Sequence, residues 1–293
     1  MRKTKLYMDT VVDIKVVTKK SKEETEVKIN RAFQAFQNVE QACSRFSATS
    51  ELMQASKIIG TPVNISPFLF EPLRFALEMA KLTDGLFDPT VGKMMEENGF
   101  NRQYLTGDRI ESLAAKAVNY HDIELNQQTH TLLLKKPLVI DLGAVAKGFA
   151  IDLAANELKE FEGFVVNAGG DLFASGFDST GNPWKIGIQH PYHKDEILET
   201  IELSDAAICT SGSYERRNLT KPDVHHIVNP LTNHSPNEWI SSSVVAPFAM
   251  MADAFSTVSF LLGVKNGKSL LEDLDLQGLL ITPELQIVRV GGI

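Results

Sequence analysis

With 293 residues and 43% hydrophobic content, the chain can build one large domain or two modest ones around a buried core. A net charge of −8 leaves no general basic surface, which excludes a nucleic-acid partner and requires any phosphate-bearing ligand to be held locally. Cys43 and Cys209 make neither a disulfide framework nor a paired thiolate site, the first nine residues lack a signal-peptide core, and no apolar run reaches the ~20 residues of a membrane span; the expectation is a cytoplasmic protein with no transmembrane segment.

In chain order, the β-branched alternation of Thr10–Thr18 predicts a strand, and Val27, Ile29, Ala32, Phe33 and Phe36 give residues 20–37 a helical stripe. Pro67 opens a second helix that runs to Leu82 and stops before the Asp84-Gly85 turn. A strand pair is expected within Thr131–Ile140, then a small-residue turn and a helix to about Leu158. Strands are expected at 163–167, 172–175, 184–190, 199–203, 207–210 and 241–245, a helix over Met250–Leu262, and strands at 278–281 and 286–290. The fold class is α+β, with mixed sheets and flanking helices.

Several constellations can carry chemistry. Asp141-Leu-Gly-Ala144-Val-Ala-Lys147-Gly148 places small residues before a helix N-terminus, where a backbone can approach a phosphate; an ordinary strand-to-helix turn capped by Asp141 fits equally. Asp253 and Thr257 stand one helical turn apart, a carboxylate and a hydroxyl that suit a hard cation such as magnesium or that bond to each other. His225-His226 runs into a Pro230 turn and offers a neutral imidazole as a base for a hydroxyl nucleophile, or simply strand-end histidines. Two glycine-centred segments, Asn167–Asp171 and Thr210–Arg216, expose backbone amides, and Arg216 can meet a phosphate or a surface carboxylate. Phe46 and Phe87 can cover a flat ring or pack in the core.

Taken in order, these blocks resemble the FAD:protein FMN transferases, the ApbE-type family. The resemblance covers Met8 to Gly263. It is carried by Met8-Asp9-Thr10, Ser44-Arg45-Phe46 with Ser50-Glu51-Leu52, Gly85–Gly92, Asp141–Gly148, Asn167–Asp171, Ser211–Arg216, His225–Pro230 and Ala252–Thr257. Such a resemblance implies one ApbE-like domain over residues 1–293, two-lobed, with FAD between the lobes. It implies Mg²⁺ held by Asp253, Thr257 and the carbonyl of Ala144. FAD contacts would come from Met8, Phe46, Leu86, Phe87, Asp88, Asp141, Lys147 and Ile227, and His226 would act with Asp253 in catalysis. The implied reaction transfers FMN from FAD to a Thr or Ser of an acceptor flavoprotein and releases AMP. An FAD pyrophosphatase differs only in using water, and a non-catalytic FAD-binding protein would need neither base nor metal. Three positions depart from the family pattern: Asp9 and Asn233 replace glycine, and Asn229 replaces aspartate.

Overall fold

The alternation at Thr10 produces the expected strand. In a computed structural model describing residues 1–103, 106–215, 218 and 224–293, β2 (Thr10–Val17) buries Val12, Ile14 and Val16 on one face. It pairs antiparallel with β1 (Arg2–Tyr7), whose polar sequence Arg-Lys-Thr-Lys-Leu-Tyr gives no strand signal. The two-residue turn between them puts Met8 and Asp9 at φ 51° and 58°, the left-handed pair of a tight hairpin. Aspartate is among the few non-glycine residues that tolerate this conformation.

The chain divides into two compact units, Met1–Gln37 with Lys147–Glu215 and Asn237–Ile293, and Asn38–Ala146 with Arg216–Pro236. The first unit contains an eight-stranded sheet. Its order is β1, β2, then β6 (Gly163–Ala168), β7 (Asp171–Gly176), β10 (Ala206–Gly212), β11 (Ser241–Ala246), β12 (Gln277–Ile281) and β13 (Ile287–Val290), with every neighbouring pair antiparallel. A separate hairpin, β8 (Trp184–Gln189) and β9 (Ile197–Leu203), contributes Trp184, Ile188, Ile201 and Leu203 to a core shared with Leu172, Ile208, Val245 and Leu279. The strands predicted in this unit are all present, with ends within two residues of expectation.

Helix α1 (Lys22–Cys43) extends six residues past its predicted end, because Val39, Ala42 and Cys43 carry the buried stripe onward beyond the polar Gln37-Asn38 pair. Of the remaining long helices, α5 (Ala146–Leu158) and α6 (Ala249–Asp273) belong almost wholly to the first unit. Helix α6 packs on β10 and β11. Small residues permit that approach: Ser242 Oγ bonds Ser259 Oγ at 2.7 Å, and Ser211 Oγ bonds Ser256 Oγ at 2.8 Å. The predicted end at Leu262 marks a break, since Gly263 adopts φ 76° and a second helical segment follows; Glu238 accepts the Val264 N–H at 2.9 Å where it restarts.

The second unit holds α3 (Pro67–Leu82), whose limits match the sequence expectation because Pro67 sits at its first position. Short helices α2 (Glu51–Ala55) and α4 (Gly92–Glu97) accompany it, with a three-stranded sheet of β3 (Val63–Asn64), β5 (Thr131–Leu134) and β4 (Ile123–Asn126). The expected strand pair within 131–140 is thus a single strand, β5, ended by Lys135-Lys136-Pro137. Its partners lie elsewhere in the chain. Beyond it, residues 139–141 run beside the 89–92 turn: Gly92 N–H donates to the Val139 carbonyl at 3.2 Å and Asp141 N–H to the Pro89 carbonyl at 2.8 Å.

Candidate active site

Within the first unit, α5 and α6 meet at their N-termini. Gly148 makes this possible, since a Cβ there would lie 2.4 Å from the Ala249 carbonyl oxygen and 2.6 Å from Met250 Cα. The Gly148 N–H donates to Asp253 Oδ2 at 3.2 Å, and the Lys147 ammonium stands 3.7 Å from the same oxygen. Lys147 also pairs closely with Asp171 Oδ2, whose other oxygen accepts the Thr210 N–H at 2.8 Å. Burial pushes the Asp253 carboxyl above the usual carboxylate range, and the Lys147 charge pulls it back.

The hydroxyls beside Asp253 have a fixed order. Ser256 Oγ donates to the Asp253 carbonyl at 2.8 Å, so it accepts from Ser211 Oγ at 2.8 Å. Ser211 then has no proton left and accepts from Thr257 Oγ1 at 2.9 Å. Thr257 therefore keeps its lone pairs for another partner. Both Asp253 side-chain contacts fall on Oδ2, and Oδ1 takes no hydrogen bond from the described residues. A carboxylate oxygen and a hydroxyl oxygen with unused lone pairs, one helical turn apart, fit a magnesium ion that keeps part of its water shell. Among the described residues no group of three or more His, Cys, Asp or Glu side chains is gathered for a metal.

Two further blocks of the same unit lie together. The Met8–Thr10 turn abuts the Asn167–Gly170 turn: Gly169 N–H donates to the Val11 carbonyl at 3.1 Å, and a Cβ on Gly169 would meet Thr10 Oγ1 at 2.4 Å. Asp171 follows directly, so this pair of turns leads to Lys147.

In the second unit a buried arginine gathers the predicted residues. Arg45 pairs through Nε with Asp141 Oδ2, donates from Nη2 to the Phe100 carbonyl at 2.7 Å and lays its guanidinium 4.2 Å above the Phe46 ring. Asp141 Oδ1 meanwhile accepts the Gly143 N–H at 2.8 Å, which shapes the turn that contains Ala144. The Phe100 ring stands edge-on to His226 at 6.5 Å.

The two histidines differ. His225 is buried; its Nε2 donates to the Pro236 carbonyl at 2.7 Å and its Nδ1 accepts the Ile227 N–H at 3.3 Å. The second of these contacts holds Ile227, itself buried. His226 is half-buried on the neighbouring position. After it, Asn229 Oδ1 accepts the Leu231 and Thr232 N–H groups at 2.9 and 3.3 Å, a turn-forming role that aspartate would fill equally. Asn233 has φ 56°, a left-handed conformation that asparagine tolerates better than most residues.

The 86–88 turn is held by packing and hydrogen bonds. Phe87 is in the core, and Asp88 gives one oxygen to the Thr90 N–H at 2.8 Å and the other to the Tyr120 N–H at 3.0 Å. Leu86 is half-buried. Asp88 thereby fixes the backbone of this segment.

Residues 8–280 match the ApbE family. The chain belongs to that family. The FAD:protein FMN transferase of Escherichia coli K12 is 30% identical over 262 residues, covering 84% of this chain and 74% of that protein. The FAD:protein FMN transferase of Treponema pallidum is 26% identical over 99% of this chain and 87% of its own length. Among solved structures, the ApbE protein of Thermotoga maritima superposes with a TM-score of 0.87 at 27% identity, over 99% of this chain and 96% of that one. The flavin transferase ApbE from Vibrio cholerae, 23% identical with a TM-score of 0.83, shares the fold. The α+β class expected from sequence is therefore the ApbE fold.

Within the ApbE blocks, Arg45 and Asp171 carry no role legible from sequence, yet Arg45 holds Asp141 and Phe46 and Asp171 holds Lys147. Phe100 and Asp152 had no signal at all. A buried charge facing a predicted site residue is what distinguishes the first two, and that is visible only in three dimensions. Arg216 lies outside the described residues.

Proposed function

We propose that this chain is a Mg²⁺-dependent FAD:protein FMN transferase, acting on a Thr or Ser hydroxyl of an acceptor flavoprotein and releasing AMP. The observation that carries this reading is the pairing on α6 of Asp253 Oδ1 and the Thr257 hydroxyl, both with unused lone pairs, beside the Lys147 ammonium, in a chain that keeps the ApbE blocks. Asp253, Thr257 and the Ala144 carbonyl would hold the magnesium ion, which when bound neutralises pyrophosphate oxygens and favours departure of AMP.

The chain's own residues supply the rest. Lys147 places a positive charge for a phosphate oxygen. Phe46, backed by Arg45, offers an aromatic face to the flavin, and Asp141 fixes the turn at 141–143. His226 accepts the proton of the acceptor hydroxyl as its oxygen bonds to the FMN phosphorus. The bond from that phosphorus to the bridging oxygen breaks, and the oxygen leaves with AMP. Its neighbour His225 ties this segment to the Pro236 carbonyl and holds the Ile227 N–H that follows His226.

The test mixes the protein with FAD, Mg²⁺ and a flavoprotein bearing a threonine flavinylation motif, and reads intact mass. An FMN-sized adduct with AMP release is expected. Free FMN and AMP without adduct would make the protein a pyrophosphatase, and unchanged FAD a binding protein.

A further inference from the structure

Lys147 faces two carboxylates with one ammonium. A lysine alone beside Asp253 would settle on that carboxylate and compete with any cation arriving there. Instead its close partner is Asp171, and its distance to Asp253 Oδ2 is 3.7 Å. Asp171 can hold this position because it is buried at the start of β7, and because the Thr210 N–H, 2.8 Å from Oδ1, prevents the carboxylate from rotating away. Oδ2 is left facing Lys147. Gly148 N–H then keeps the Asp253 carboxylate turned with Oδ2 inward, so that Oδ1 takes no hydrogen bond from the described residues.

We propose that Asp171 is a positioning residue that draws the Lys147 ammonium off Asp253 and so keeps Asp253 open to a divalent cation. The proposal rests on the reading of Asp253 as a metal carboxylate. Asp171 closes the Asn167–Asp171 block and contacts Lys147, which makes it a control on the metal site that acts through the lysine. Without its charge, Lys147 has Asp253 as its remaining carboxylate partner, and an entering ion must displace it.

The experiment measures metal binding directly, without FAD and without turnover, by Mn²⁺ electron paramagnetic resonance and by the Mg²⁺-dependent rise in melting temperature. Asp171→Asn retains an acceptor for the Thr210 N–H and loses only the charge, and it should weaken Mn²⁺ binding about tenfold, the low end of the 10- to 1000-fold effect of an opposite charge at 4–6 Å. Lys147→Met should bind Mn²⁺ at least as tightly as wild type. In the Lys147→Met background the Asp171→Asn effect should vanish, because Asp171 then has nothing to hold. An equal loss in both backgrounds would show a through-space charge effect and overturn the proposal, as would unaltered binding in Asp171→Asn. If Asp253→Asn binds Mn²⁺ as wild type does, the metal reading itself fails, and the positioning role fails with it. Should Asp171→Asn not fold, Asp171→Ser in both backgrounds makes the same comparison.

Discussion

The Asp152 carboxylate, midway along α5, accepts the Ala249 and Met250 N–H groups at 2.6 and 2.9 Å and closes the N-terminus of α6. Helix α6 has no side-chain cap of its own, since its N-cap position is Phe248. The helix that carries Asp253 and Thr257 is thus held from another helix, and the anchor is ionisable. Burial raises the Asp152 carboxyl to about 6, opposed by the two amides and helped by the Asp253 charge. Because the folded value lies above the unfolded one, near 3.8, the folded state holds an extra proton between about pH 4 and 6. Stability from this group is therefore present below pH 4 and falls as pH rises to 6, by roughly 2–3 kcal/mol at most. Urea denaturation across that range should show the slope in wild type and a flatter profile in Asp152→Asn. Above pH 7, Asp152→Ala should cost about 1–2 kcal/mol through the lost cap.

Asp9 holds φ 58° at the second turn position of the β1–β2 hairpin, next to Met8 at 51°. Relieving one of these left-handed residues should stabilise the protein. Asp9→Gly is expected to raise the urea midpoint by the equivalent of about 0.5–1 kcal/mol with no change in the denaturant slope. A lower midpoint would mean that the aspartate side chain holds the turn by contacts that outweigh its backbone strain.

What the sequence made legible follows from how local each signal is. Helix α3 was readable because Pro67 fixes its start and its apolar stripe lies within one segment. The second half of α6 was not, because Gly263 looks like an end and the restart depends on Glu238, far away in sequence. Strand β1 was hidden because an edge strand carries charge and shows no alternation. The same contrast holds at the site. Asp253 and Thr257 share one helix face, so their spacing shows in the sequence. The Arg45–Asp141 pair joins residues 96 positions apart, and only the fold brings them together.

The histidine pair makes a separable prediction. His225 is buried with both ring nitrogens engaged, so His225→Ala should lower stability by about 2–4 kcal/mol. His226→Ala should leave the melting temperature near wild type and slow flavin transfer about 10²–10⁴-fold. Stopped-time mass analysis on folded protein distinguishes them. Equal transfer rates in His226→Ala and wild type would remove this residue as the base.

Arg45 tests whether the second unit's cluster serves ligand binding or only folding. Its Nε and Nη2 reach Asp141 and the Phe100 carbonyl, its plane covers Phe46, and its buried Nη1 has no hydrogen-bond partner among the described residues. Lysine keeps the charge but cannot span two acceptors or present a flat face. Arg45→Lys is therefore expected to lose about 1–3 kcal/mol of stability, since one of two buried contacts is broken. The same variant should weaken FAD binding about tenfold as Asp141 and the Phe46 ring lose their common support. Flavin fluorescence titration below the variant's melting temperature separates the two effects. A destabilised variant that binds FAD as tightly as wild type would confine Arg45 to the core, whereas loss of affinity in a folded protein would tie it to the flavin end of the site.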